Sequence, residues 1–216
     1  MASLEPLHRS IVINREFGSG GREIGRRIAE RTGAPFYDSR ILAEAAANRG
    51  LPADLLTQFD ERVAGGQYFT LAMMTGPDIE AFSLPYRMYA AVGEVITAAA
   101  AIAPAIFIGR CADQILADAG ISLRSVFVYS TDTAAKVARA VEVDGIDPRH
   151  AQSHIARMDK ARRRYQQFFT QTSFGDPREY DLCLNSGRLG YDACVNAILA
   201  SADRSATDPG SDSAPA

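Results

Sequence analysis

Short β-branched runs alternate with stretches of helical periodicity along most of the chain. Ser10-Ile-Val-Ile-Asn14 predicts a first strand that ends in polar residues and a glycine cluster. From Gly21 to Thr32 the apolar positions Ile24, Ile28 and Ala29 keep helical spacing among Arg and Glu, and Gly33 stands where a C-terminal cap belongs. Pro35-Phe-Tyr37 predicts a brief return to the sheet, with Asp38 or Ser39 capping a helix to about Asn48. Leu51 to Val63, opened by Pro52, predicts another short helix, and Gly65 to Pro77 an irregular segment able to move over a site. A long helix over Leu84 to Ala101 then leads into the apolar strand Ala105 to Ile108 and directly to Gly109-Arg110. Ser125 to Tyr129 predicts the next strand, after which Thr131 or Asp132 caps a helix through Val143. Pro148 to Thr172 predicts a charged helix or helix pair, Tyr180 to Leu184 the last strand and Tyr191 to Ala200 the last helix.

Strands separated by helices require crossover connections, which predict an α/β domain with a mostly parallel sheet covered on both faces. Ligands of such sheets sit beyond the carboxyl ends of the strands. The polar groups at Gly18 to Glu23, Asp38, Arg110 and the turn after Tyr129 all fall there. At 216 residues, 47% hydrophobic and 23% charged, the chain reads as one globular domain over 1–200, with 201–216 a disordered tail. A net charge of −3 argues against binding a nucleic acid polymer, so an anion site must be a local cluster. Cys111, Cys183 and Cys194 lack metal or disulfide spacing and suit a reducing cytoplasm. The N-terminal segment carries no signal-like apolar run, and the alanine-rich stretch Ala90 to Ile108 contains Glu94 and Pro104, so no membrane association is expected. Apolar residues along Phe82 to Val95 suit a homodimer as well as a core.

Gly18-Ser19-Gly20-Gly21 lies between a strand and a helix, where backbone N–H groups and the helix N-terminus can point at one anion. A plain tight turn would look the same. Arg110 leaves an apolar strand at its carboxyl edge with its fork able to bind phosphate bidentately. Arg157 to Arg164 gathers five cations against one acid, either for a polyphosphate or as a solvated helix face. Tyr165, Phe168 and Phe169 continue that helix as an apolar packing stripe, and His8, His150 and His154 have no ligand spacing.

The segment Ile11 to Arg31, IVINREFGSGGREIGRRIAER, resembles the start of the cytidylate kinase-like family. The resemblance continues through Pro35-Phe-Tyr-Asp38, Ile108-Gly-Arg110, Asp159-Lys-Ala-Arg162 and Gly175 to Asp181, and so spans most of Ser10 to Ala200. It implies the three-layer P-loop NTPase fold, a parallel sheet flanked by helices with a helical lid over about 148–175. It further implies ATP and Mg²⁺ as cofactors, with Gly18, Ser19, Gly20, Gly21, Arg22 and Glu23 around the donor phosphates. Asp38, Arg40 and Arg110 match acceptor-binding positions, and Arg157, Lys160, Arg162 and Arg164 match lid cations that close on the phosphoryl group.

The loop departs from an ordinary Walker A loop, GxxxxGK(S/T), as cytidylate kinases carry it. Arg15 takes the place of the first glycine, Gly21 that of the phosphate-binding lysine and Glu23 that of the magnesium-binding Thr or Ser; Arg22, one residue later, is the cation nearest in sequence. Cys111 and Ala161 each replace an acid. The resemblance implies a phosphotransferase moving the γ-phosphoryl of ATP to a nucleoside monophosphate such as CMP or dCMP. The departures instead suit a nucleotide-binding regulatory protein without kinase activity, and Gly65 to Tyr89 could select a non-nucleotide alcohol.

Overall fold

The computed structural model describes residues 6–47 and 79–202. The helix expected over Leu51 to Val63, the irregular segment Gly65 to Pro77 and nearly all of the expected tail lie outside these residues. Five strands form one sheet: β1 (Ser10–Arg15), β2 (Phe36–Tyr37), β3 (Ile106–Ile108), β4 (Leu123–Tyr129) and β5 (Leu182–Asn185). All pairings are parallel and the spatial order is β2-β3-β1-β4-β5. β1 is central, with Ile11 opposite Ile106 on one side and Arg124 on the other.

Side chains on a strand alternate between faces, and β1 uses both. Ile11 and Ile13 join Ile106, Ile108, Val126 and Val128 under helices α1 (Gly21–Thr32) and α8 (Tyr191–Ala202), where Ile24, Ile28, Cys194 and Ile198 complete one core layer. Val12 and Phe107 face the opposite layer with Leu42 of α2 (Ser39–Ala47), Met88, Val92 and Ile96 of α3 (Ile79–Ile102), and Leu116 of α4 (Ala112–Asp118). Burial on both faces is why these strands are nearly continuous apolar runs. A smaller cluster, Ala140, Ala151 and Ile155 with Phe17 against it, joins α5 (Thr133–Glu142) to α6 (Ala151–Thr170). A short helix α7 (Ser186–Leu189) follows β5.

The strands and α1 fall where the hydrophobic pattern places them. Helix α3 already includes Ile79, ahead of the start expected near Leu84, and Pro148 to Thr172 contains one helix rather than a pair. Helix α4 has no counterpart in the sequence reading because its N-cap, Cys111, is a left-handed residue at φ 54 that makes no side-chain cap. None of the described helices is long and apolar enough to cross a membrane.

Candidate functional site

The parallel arrangement brings the carboxyl ends of β1, β3 and β4 to one edge, and the glycine turn after β1 lies there. Gly18 and Gly20 have φ of 75 and 78, a left-handed conformation that glycine takes without cost. The protein's own neighbours also demand glycine. A Cβ at Gly18 would lie 2.8 Å from the Lys136 carbonyl oxygen, one at Gly20 would overlap the Tyr191 ring, and one at Gly21 would lie 2.7 Å from Cβ of Arg15. Ser19 braces the turn: its hydroxyl donates to the carbonyls of Glu16 at 2.9 Å and Val128 at 3.1 Å, and its own carbonyl accepts from the Ser186 hydroxyl at 2.6 Å. The N–H groups of Gly21, Arg22 and Glu23 open α1, where helix geometry gives them no intrahelical acceptor.

Arg22 points toward the end of β2. Its Nη2 pairs with Asp38 Oδ2 at 2.5 Å, and the arginine side chain is 66% exposed while that of the aspartate is 7% exposed. Asp38 Oδ1 accepts the N–H of Arg40 at 3.1 Å and of Ile41 at 3.0 Å, capping α2. Burial raises the Asp38 carboxyl, but the N–H of Ile41 and the Arg22 guanidinium outweigh it and hold the group below its ordinary range. Glu23 turns along α1 and accepts from Arg26 Nε at 3.1 Å, Arg26 Nη2 at 2.8 Å and Arg27 Nε at 2.9 Å. The Arg26 hydrogen bond leads in pulling its pKa from 4.5 to about 2, against the opposing effect of burial. Both Glu23 oxygens are thus paired along the surface of α1. Arg40 is 77% exposed and reaches Glu44 at 3.8 Å.

The turn after β3 is unusual. Gly109, Arg110 and Cys111 are consecutive left-handed residues with φ of 73, 62 and 54, a strained run of the sort found where a side chain must be aimed. It sends Arg110 into a cleft of about 280 Å³, with Cζ 5.7 Å from the Tyr165 ring centroid. Arg162 of α6 enters the same cleft; its Nη1 donates to the Arg15 carbonyl at 3.0 Å and its Cζ stands 5.5 Å from the Phe17 ring centroid. Arg15 is the third cation of the cleft, and Asn14, Ser39, Gln166 and Phe174 are among its other walls. Burial pushes the Tyr165 phenol and the Cys111 thiol up from their ordinary values, so both stay neutral. Asn14 donates to Asp113 Oδ2 at 2.8 Å, and burial raises the Asp113 carboxyl.

Helix α6 therefore divides the expected lid cations. Ala161, Arg162 and Tyr165 face the cleft, whereas Arg157, Lys160 and Arg164 are exposed one turn apart on another stripe. Arg157 donates to His154 Nδ1 at 3.0 Å. The chain's pattern gave no sign of the link between α5, α6 and the glycine turn. Asp159 accepts the Phe17 N–H at 2.6 Å and faces Lys136 Nζ at 3.4 Å, while Lys136 donates to Glu16 at 3.0 Å. Only the position of Lys136 on the inward face of an amphipathic helix could have hinted at it. Among the described residues no group of three His, Cys, Asp or Glu side chains could hold a metal ion.

The profile of the cytidylate kinase-like family matches residues 10–188. The chain belongs to that family. A solved structure of an uncharacterised Eubacterium ventriosum protein is similar to this family member at 26% identity and a TM-score of 0.67, covering 92% of this chain and 100% of that one. A Sinorhizobium meliloti gluconokinase structure resembles it at 17% identity and a TM-score of 0.53, covering 92% of this chain and 93% of that one, a likeness of fold. A Ruegeria pomeroyi shikimate kinase is 41% identical over 46 residues, which are 21% of this chain and 24% of that protein. The cytidylate kinase-like chain thus has the three-layer α/β fold of P-loop kinases, with its arginine cleft at the strand edge where that fold takes ligands.

Proposed function

We propose that the protein is a phosphotransferase that moves the γ-phosphoryl group of ATP to a small anionic acceptor, a nucleoside monophosphate such as CMP or dCMP. The observation that carries this reading is the convergence of Arg15, Arg110 and Arg162, from three separate segments, on one cleft beside the glycine turn. Phosphoryl transfer needs little covalent chemistry from a protein; it needs positioning and neutralisation of charge on the phosphoryl oxygens. Guanidinium forks supply both.

The N–H groups that open α1 fit the donor phosphates, and ATP supplies the phosphoryl group when bound. Magnesium at such a site would take most of its ligands from phosphate oxygens and water, and both oxygens of Glu23 already accept from Arg26 and Arg27. Arg110 and Arg162 hold the acceptor's anionic group, while Asn14, Ser39 and Gln166 present hydrogen-bonding groups to its polar substituents. Asp38 orients Arg22 at the rim.

The small cleft favours a second acceptor class. At about 280 Å³ it lies at the lower end of small-molecule sites, which suits a compact hydroxy acid as well as a nucleotide. The short match to a shikimate kinase supports the same alternative. An assay with ATP and a panel of CMP, dCMP, other monophosphates, shikimate and gluconate should show transfer to one class, with Arg110→Ala raising the acceptor KM at least tenfold. ATP binding without transfer to any of them would leave a nucleotide-binding protein and remove the kinase.

A further inference from the structure

Two departures from the ordinary phosphate loop meet at one place in the structure. The loop lacks a lysine at position 21, and it begins with Arg15 instead of glycine. A Cβ on Gly21 would stand 2.7 Å from Cβ and 3.0 Å from Cγ of Arg15. Carbon atoms do not approach so closely without displacement, so a lysine at 21 would collide with the stem of Arg15. Farther along the same side chain, a Cβ on Gly109 would overlap Nη1 of Arg15. The arginine therefore runs past two glycines, from the end of β1 over the first residue of α1 to the strained turn after β3. Its head reaches the cleft that also holds Arg110, and its carbonyl is fixed by Arg162 at 3.0 Å.

Two cations that flank the loop serve other partners. Arg22 pairs with Asp38, and Lys136 is held by Glu16 and Asp159 with its own backbone against Gly18. We infer that Arg15 is the phosphate-binding cation of this loop, exchanged in sequence with the lysine of ordinary loops, so that an arginine at 15 and a glycine at 21 form one interdependent pair. The ligand of its guanidinium is a polyphosphate oxygen lying between the glycine turn and the Arg110 cleft. This rests on the phosphotransferase reading, and it explains how a loop without its lysine keeps a cation at the phosphates.

The test is calorimetric binding of ATP and of inorganic tripolyphosphate to the full chain and four variants, each checked for folding by circular dichroism and melting temperature. Arg15→Met keeps the stem that fills the space beside Gly21 but removes the charge. It should weaken both probes by about tenfold to a hundredfold, the range for a lost charge-assisted hydrogen bond. Arg15→Lys should recover part of that loss. Gly21→Lys should bind poorly because the two stems collide, and the double variant Arg15→Gly with Gly21→Lys should bind at least tenfold better than Gly21→Lys alone. If the parent binds both probes and Arg15→Met binds them equally well, or if the double variant recovers nothing over Gly21→Lys, the pairing is wrong. A parent that takes up neither probe overturns the phosphotransferase reading itself, and the role of Arg15 with it.

Discussion

At the scale of single residues, the site is built from side chains whose neighbours leave them few alternatives. Gly18 combines a φ of 75 with backbone of Lys136 so close that a methyl group would lie 2.8 Å from its carbonyl. Gly18→Ala should therefore destabilise the fold by about 1–3 kcal/mol through backbone strain and contact with Lys136, read as a lower melting temperature. Glu23 gives a pH-dependent prediction. Its folded pKa lies near 2, below its ordinary 4.5, so its ion pairs stabilise the fold above pH 4.5 and are lost as the pH falls from there toward 2. Arg26 and Arg27 are partly exposed, and solvent screening limits the effect to about 1 kcal/mol. Denaturant titrations of the parent and Glu23→Gln should differ by that amount at pH 7 and converge near pH 2.

At the scale of elements, the docking of α6 on the glycine turn is the joint that sets the cleft. Asp159 accepts the Phe17 N–H and faces Lys136, so a single carboxylate ties α6 to both the turn and α5. Asp159→Asn weakens that acceptor and removes the charge opposite Lys136; hydrogen exchange at the Phe17 amide should speed up at least tenfold while amides in β1 keep their protection. This joint was illegible in the chain because its partners are far apart in sequence and one of them, Lys136, sits in an otherwise ordinary amphipathic helix. The strands were legible because burial on both faces leaves continuous β-branched runs. Arg110 and Arg162 could be read from position: one leaves an apolar strand, the other lies in a dense basic run. Arg157, Lys160 and Arg164 share that run but not its orientation, which depends on the register of α6 against the sheet. Tyr165 was readable as packing and does pack on Phe169 at 4.8 Å between centroids; its second role, supporting Arg110, needed the left-handed turn after β3.

At the scale of the whole molecule, two apolar layers hold a parallel sheet whose strand edge carries a compact cluster of positive charge, although the full chain bears a net charge of −3. Such a local field should make anion binding salt-sensitive and leave the distant core indifferent to salt. ATP at a hundred times its dissociation constant should stabilise the folded state by about 2.7 kcal/mol, raising the melting temperature by several degrees. At that fixed ATP concentration the increment should shrink between 0.05 and 0.5 M NaCl with the logarithm of the calorimetric affinity, by about 1.4 kcal/mol for each tenfold loss. A shift that stays constant with salt would mean that the arginine cluster does not bind the phosphates.

The central position of β1 also bears on how the protein is made. Strand β1 finds its partners, around Ile106 and Leu123, only after roughly a hundred further residues have been synthesised. Until then a nascent polypeptide presents Ile11, Val12 and Ile13 with both edges unsatisfied, a hydrophobic ribbon suited to capture by chaperones or to wrong association with other chains. Translation truncated before β4 should thus yield aggregation-prone product, and folding competence should appear abruptly once that strand has cleared the exit tunnel.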